Sequence, residues 1–171
     1  IYHALGLKHP FEADGDNTNV LGSREDTSPY TVMSYNLDPS TFAGDARVLD
    51  LMALTALYGV NPSYRLEDDT YEFSNSSGVF IVDGGGRDTV AYQGSQNVFV
   101  DLRSGGHSFI GSKSAYITSA NPLTISNGSL IENATTGSGN DTIIGNALNN
   151  TLSSGGGDDR IFAVDFCDQC A

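Results

Sequence analysis

Two histidines near the start of the chain have the spacing of metal ligands. His3 and His9 flank Gly6, and Pro10 follows directly. Glycine readily takes the left-handed conformation that ends a helix, and proline cannot continue one. A chain that turns at Gly6 can bring His9 back towards His3, and imidazole nitrogens are good ligands for Zn²⁺. Two ordinary surface histidines are the alternative, but Gly6 and Pro10 then have no reason to stand where the turn requires them.

A second segment, Tyr30 to Tyr35, has the sequence YTVMSY. It resembles the Met-turn of the metzincin proteases, and the histidine run resembles the second half of their zinc signature, H-E-x-x-H-x-x-G-x-x-H. The resemblance implies that His3, His9 and Tyr35 bind Zn²⁺ and that Met33 packs beneath them as a soft hydrophobic floor. It also implies that Tyr35 stabilises the oxyanion of peptide hydrolysis. Thr31 stands where the serralysin and astacin branches have serine.

The rest of that zinc signature would precede Ile1. Its first histidine and its glutamate, the general base, are not among these 171 residues. We therefore expect the chain by itself to hold zinc loosely and to show negligible protease activity.

The composition is strongly acidic, with a net charge of −13 over 171 residues. This charge argues against nucleic acids and anionic membranes as partners, and it predicts self-repulsion that bound cations would relieve. No apolar run is long enough to span a membrane. Cys167 and Cys170 form a single C-x-x-C pair, which excludes a four-cysteine zinc site, and we expect a disordered tail there.

The organisation of the sequence changes near residues 61 and 62. Before that point, Ala46 to Tyr58 predicts a helix that Gly59 ends. After it, short alternating runs predict strands, among them residues 79–82, 98–100 and 123–125. His107 is interpreted as a surface-loop residue. The predicted domains are therefore 1–62 and 63–171.

A nine-residue repeat occupies the last third of the chain. Asp141, Asn150 and Asp159 are nine residues apart, and an isoleucine or leucine follows each of them two positions later. The segments around Asp141 and Asp159 approach G-G-x-G-x-D-x-U-x, the calcium-binding nonapeptide of RTX proteins. Glycines allow backbone carbonyls to converge on an ion, and the aspartate supplies charge. A flexible linker would not keep these residues in register.

The order of these features resembles that of the serralysins, secreted bacterial zinc endopeptidases. The resemblance implies an α+β metzincin C-terminal subdomain followed by an all-β parallel β-roll of RTX nonapeptide repeats. It implies calcium sites ahead of the repeats, at Arg65, Glu67, Asp69, Asp83, Gly85, Gly86, Asp88, Leu130 and Glu132. The repeats add Gly137, Gly139, Asp141, Asn150, Gly155, Gly157 and Asp159. The family has glycine and threonine in place of Glu67 and Asp69.

The predicted function is therefore that of a secreted, extracellular bacterial endopeptidase that uses Zn²⁺ and is stabilised by Ca²⁺. Its partners would be protein or peptide substrates, with no nucleic acid or membrane, and we expect a monomer. The alternative is a non-catalytic RTX calcium-binding or secretion module. That alternative does not explain why a zinc half-motif and a Met-turn occur together.

Overall fold

A computed structural model describes residues 1–13, 15, 18–39, 45–76 and 78–163. These residues form two compact units that divide between Gly59 and Val60. Cys167 and Cys170 lie outside the described residues. Within the described part of the chain, every helix is too short or too polar to cross a membrane.

The first unit contains a 3-10 helix, Tyr2–Leu5, and the α-helix α1, Val48–Tyr58. Gly6 ends the first with a φ of 87°, the left-handed conformation expected of it, and Gly59 ends α1 with a φ of 75°. The helix begins two residues later than predicted. Its most buried residues are the polar Asp50 and Thr55 rather than members of its apolar face.

The described residues of the second unit form ten short strands. They are β1 Thr70–Glu72, β2 Val79–Ile81, β3 Thr89–Ala91, β4 Val98–Asp101, β5 His107–Ile110, β6 Pro122–Ile125, β7 Asn133–Thr135, β8 Thr142–Ile144, β9 Thr151–Ser153 and β10 Arg160–Phe162. They form a four-stranded sheet in the order β1-β3-β7-β9 and a six-stranded sheet in the order β10-β8-β4-β5-β6-β2. Buried apolar side chains of both sheets make one core.

The nine-residue repeat corresponds to an alternation of the last four strands between the two sheets. Strands β7 and β9 belong to the four-stranded sheet, and β8 and β10 to the six-stranded sheet. Each strand pairs in parallel with the strand two repeats away, as in Asn133↔Thr151 and Thr142↔Arg160. Two nonapeptides therefore make one turn, and equivalent loops of successive turns stack at a spacing of 18 residues.

Not every strand is parallel. The segment β4–β5–β6 is antiparallel, with Phe99 opposite Phe109 and Ser108 opposite Leu123. His107 begins β5 and makes a 2.8 Å hydrogen bond from Nδ1 to Thr124 Oγ1, so the prediction of a surface-loop histidine is wrong. This antiparallel segment has no nonapeptide signature in its sequence, because its loops are ordinary turns and not copies of the repeat.

Candidate metal centres

His3 and His9 meet in the first unit. Their Nε2 atoms are 3.2 Å apart, and the two rings lie edge to face at 4.6 Å between centroids. The turn at Gly6 causes this approach, since its left-handed backbone reverses the chain after one short helix. The residues that the spacing predicted to share an ion are therefore brought together.

Each imidazole is oriented by a backbone carbonyl. His3 Nδ1 lies 3.0 Å from Leu7 O, and His9 Nδ1 lies 2.7 Å from Met33 O. A carbonyl oxygen only accepts, so each neutral ring carries its proton on Nδ1 and directs its Nε2 lone pair at the other histidine. Two lone pairs at this distance repel each other unless a cation lies between them.

The spacing of these nitrogens fits zinc. Two ligands on a tetrahedral Zn²⁺ with bonds of about 2.0–2.1 Å are ~3.3 Å apart, close to the separation found here. Outer hydrogen bonds from Nδ1 to a carbonyl are also the usual partners of zinc-binding histidines. His3 is exposed and His9 half-buried, so an ion and a substrate could reach the pair.

Tyr35 supplies the third candidate ligand atom. Its hydroxyl oxygen lies 2.9 Å from His9 Nε2, and the side chain is 70% exposed. Its ring is 4.4 Å from that of His9 and 5.2 Å from that of Phe11. Phe11 in turn stacks on His9 at 5.2 Å, with only 18° between the ring planes. Phe11 was missed in the sequence, because nothing in the H-x-x-G-x-x-H pattern points to it.

The turn that carries Met33 is held by a buried carboxylate of α1. Asp50 accepts from the Thr31 hydroxyl at 2.6 Å, from Val32 N–H at 2.9 Å and from Arg47 N–H at 2.8 Å. Thr31 Oγ1 also accepts the Met33 N–H at 3.0 Å. Met33 is buried, and the contact it makes with His9 is through its backbone carbonyl. Asp50 therefore fixes the turn that orients His9.

Three carboxylates of the second unit gather into a second candidate centre. One oxygen from each of Asp69, Asp83 and Asp88 lies within 4.8 Å of the others, and Asp83 and Asp88 are fully buried. Asp88 Oδ1 accepts the Asp69 N–H at 2.8 Å, whereas its Oδ2 is buried and has no hydrogen-bond partner among the described residues. Carboxylate oxygens are the ligands that Ca²⁺ prefers.

Neighbouring groups complete this acidic cluster. Glu132 Oε2 accepts the Asp88 N–H at 2.8 Å, and the Glu67 carbonyl oxygen lies against Gly86, where a side chain would not fit. Asp69 enters the cluster with its carboxylate. The exposed Leu130 could offer only its carbonyl oxygen.

Two further side chains line the cluster: Tyr71, which the sequence did not single out, and Arg65, which it placed at a calcium site. The Tyr71 hydroxyl donates to Asp83, and burial followed by this hydrogen bond raises the Tyr71 pKa, so the phenol stays a donor. The Arg65 guanidinium donates to the Tyr71 hydroxyl at 3.1 Å and lies 3.8 Å from the Asp69 carboxylate.

The repeat loops use their aspartates in the same way. Asp141 Oδ1 accepts the Val98 N–H at 2.8 Å, and Asp159 Oδ1 accepts the Asp141 N–H at 2.8 Å. Asp141 is 1% exposed, and its Oδ2 has no partner within the described ranges. Glycine is required where these loops stack, because a Cβ on Gly155, which has a φ of 71°, would overlap the carbonyl oxygen of Gly137. Equivalent close approaches occur at Gly137, Gly139 and Gly157.

Asn150, which the repeat predicts to be a calcium ligand, makes hydrogen bonds within its turn, where its Oδ1 accepts the Asn146 N–H at 2.9 Å. Its amide nitrogen donates to Glu132 O at 2.9 Å and to Asn146 Oδ1 at 2.8 Å. Asn146 donates in turn to Leu102 O at 2.9 Å and to Ile131 O at 2.7 Å. An NH₂ group only donates and cannot bind a cation. The two amides therefore satisfy carbonyl oxygens that could otherwise converge on an ion.

Comparison with known proteins agrees with these features. Residues 49–169 match the family model described as Peptidase M10 serralysin C terminal. The chain belongs to the serralysin family. Its relatives include proteins named Serralysin from Proteus mirabilis, Serralysin G from Dickeya chrysanthemi and Metalloprotease AprA from Pseudomonas entomophila. The identities are 36%, 35% and 35% over 89% of this chain.

The chain spans about a third of the length of these serralysin relatives, 35% of the Proteus mirabilis protein and 36% of the other two. This membership places the chain among the M10 peptidases, and its relatives carry the names serralysin and metalloprotease. It confirms the resemblance seen in the histidine run, the Met-turn and the repeats. The mostly β-stranded second unit agrees with a serralysin C-terminal domain.

The Asp50 network predicts a specific loss of stability in the first unit. Asp50→Asn retains one acceptor oxygen but directs an NH₂ group at N–H donors that lose their partner. We expect a loss of about 2–4 kcal/mol in the free energy of unfolding, the scale of broken charge-assisted hydrogen bonds. Urea unfolding followed by a signal from the first unit measures it. Asp45→Asn, at an exposed position before the same helix, is the matched control and should change stability little.

Burial predicts a pH dependence in the calcium-free protein. Burial raises the pKa of Asp88 to about 6, and the Asp83, Glu132 and Asp69 charges add to the rise. The folded state then holds a proton that the unfolded state has lost, so stability should fall as pH rises from about 4 to about 6. Urea midpoints of calcium-free protein test this. Asp88→Asn should flatten the dependence, and an equal slope in both proteins would contradict it.

The hydrogen bonds of Asn146 and Asn150 predict that their turn stays folded in the absence of calcium. Asn150→Asp replaces the donor with a carboxylate that faces the Glu132 carbonyl. In chelator we expect the variant to lose about 1–3 kcal/mol of stability, part of which added Ca²⁺ restores. Asn149→Asp adds the same charge at an exposed neighbour and serves as the control in calorimetric calcium titrations and thermal melts. Identical behaviour of the two variants would show that the amide network does not matter.

Proposed function

We propose that this protein is a secreted zinc-dependent endopeptidase whose second unit is a calcium-stabilised β-roll. The observation that carries the proposal is that His3 Nε2 and the Tyr35 hydroxyl both lie close to His9 Nε2, at 3.2 Å and 2.9 Å. A pair of lone pairs held at zinc spacing by two carbonyls has little use in a purely structural domain.

His3, His9 and Tyr35 would have different roles in hydrolysis. A bound Zn²⁺ would polarise the scissile carbonyl and lower the pKa of a water molecule. His3 and His9 would hold the ion, each with its Nδ1 proton committed to a carbonyl. The Tyr35 side chain is 70% exposed, so its hydroxyl could also reach a substrate, where it would donate to the developing oxyanion. We assign no general base among the described residues.

Calcium would bind at the carboxylates that lack partners. Asp88 Oδ2 and Asp141 Oδ2 are buried oxygens in loops that glycines bring into contact with the next turn. Ca²⁺ accepts carboxylate and carbonyl oxygens in flexible shells, which such loops provide. The alternation of the repeats between two sheets, with β7 parallel to β9 and β8 parallel to β10, supports a β-roll of RTX type.

The rival function is a calcium-binding or secretion module without catalysis. The second unit would serve either function equally well. The histidine pair and the turn at Met33 favour the protease. Both lie in the first unit, and neither contributes a side chain to the proposed calcium-binding loops, so a calcium-binding module alone does not explain them. We propose protein or peptide substrates, a bacterial extracellular location and a monomeric state.

Separate loss of the two metals tests the proposal. His9→Ala should weaken Zn²⁺ binding by more than the about 10- to 100-fold that loss of an outer hydrogen bond costs, because it removes a direct ligand. Its calcium response should be unchanged. Asp141→Ala should do the reverse and reduce the stabilisation by Ca²⁺, which is about 2.7 kcal/mol at a hundredfold excess over Kd for one site. Calorimetric titration and thermal unfolding measure both.

Hydrolysis is tested in a hybrid in which this chain replaces the matching third of the Proteus mirabilis serralysin. The hybrid should cleave casein, and Tyr35→Phe should lower kcat about 100- to 1000-fold while folding is retained. A folded, zinc-loaded hybrid without activity would refute the protease function. Zinc binding that survives His9→Ala intact would refute the assignment of the centre.

A further inference from the structure

Phe11 occupies an unusual place beside the histidine pair. It follows His9 by two residues, and its ring lies nearly parallel to the imidazole, with an interplanar angle of 18° and 5.2 Å between centroids. It also lies 5.2 Å from the Tyr35 ring, at an angle of 49°. One side chain thus contacts two of the three residues of the candidate zinc site.

The face of a phenyl ring attracts positive charge. Its quadrupole places negative potential above the ring, and an imidazole that donates its Nε2 lone pair to a cation becomes electron-poor. Stacking on Phe11 should therefore favour the metal-bound state of His9 over the free state. The contact also limits rotation of the imidazole, in addition to the hydrogen bond to Met33 and the contacts with His3 and Tyr35.

Tyr35 has less support than His9. Its side chain is 70% exposed, and the ring contacts that position it are those with His9 and Phe11. The hydroxyl can stay 2.9 Å from His9 Nε2 only if the phenol ring keeps this place. Removal of Phe11 would therefore release one of the two rings that hold Tyr35.

We propose that Phe11 is a positioning residue of the zinc centre, which keeps the His9 imidazole and the Tyr35 phenol together at the metal. This inference rests on the proposed zinc function. A general packing role does not account for the position, because Phe11 is 39% exposed and belongs to no buried core cluster. Its loss should leave no internal cavity.

The test uses two metals, one for affinity and one for geometry. Zn²⁺ affinity is measured by calorimetry. Cu²⁺ serves as a spectroscopic probe, since a phenolate bound to Cu²⁺ gives a ligand-to-metal charge-transfer band. Phe11→Leu keeps an apolar side chain of similar size but removes the ring. It should raise the Zn²⁺ Kd about three- to tenfold, the range of an aromatic pair, and weaken the charge-transfer band. Phe11→Trp restores a ring face and should restore both signals.

Three controls make the outcome decisive. Tyr35→Phe should abolish the band, which identifies its source. Phe109→Leu removes a ring from a comparable stack with Phe99, at 5.1 Å and 14°, in the second unit, and should change neither signal. Urea unfolding shows that each variant is folded.

Failure of this inference is distinguishable from failure of the zinc function. If the wild type binds Zn²⁺ and His9→Ala does not, but Phe11→Leu equals the wild type in both Kd and band, Phe11 is not a positioning residue. If the wild type and His9→Ala bind Zn²⁺ equally weakly, the zinc function itself is wrong. Equal losses in Phe11→Leu and Phe11→Trp would also overturn the proposal, because ring stacking would then be irrelevant.

Discussion

A buried carboxylate that uses only one of its oxygens is the constraint on which the second unit depends. In both Asp88 and Asp141, Oδ1 accepts a backbone N–H from a stacked segment, while Oδ2 is buried and without a partner in the described structure. Burying an uncompensated charge costs several kcal/mol. The same bonds that stack successive turns therefore create a demand for cations, in a chain whose net charge of −13 already opposes compaction.

The first unit depends on the orientation of two imidazole rings rather than on buried carboxylates. The Nε2 lone pairs of His3 and His9 point at each other, because the Leu7 and Met33 carbonyl oxygens accept hydrogen bonds from the Nδ1 nitrogens. The hydrogen bonds run from Asp50 through Thr31 to Met33, and then from Met33 to His9. A helix carboxylate thus determines the orientation of a ring at the candidate zinc site, although it touches neither histidine.

Turns of the second unit differ in the side chains that face the backbone of the neighbouring turn. At Asp88 and Asp141 a carboxylate leaves an oxygen open, whereas at Asn146 and Asn150 side-chain amides donate directly to carbonyls of the neighbouring turn. A donor built into the chain needs no ion and works at any calcium concentration. The second unit therefore combines turns that leave a buried carboxylate oxygen without a partner with turns that side-chain amides complete.

The sequence by itself determined the family, the order of the parts and the residue types at each centre. It did so because metal ligands and tight turns require particular residues at fixed spacing: His3, Gly6 and His9 follow from ligand geometry, and the repeat follows from loops that only glycine permits. It also gave α1 to within two residues at its start and several strand positions.

Tertiary structure decided the contacts that leave no local pattern. The antiparallel excursion at β5, the Asp50 network, the stacking of Phe11 on His9 and the amide role of Asn150 all join residues by hydrogen bonds or ring contacts across the fold. Asparagine and aspartate look equivalent in a repeat register. Only the tertiary structure shows that the Asn150 amide nitrogen donates to the Glu132 carbonyl oxygen of the neighbouring turn, which an aspartate could not do.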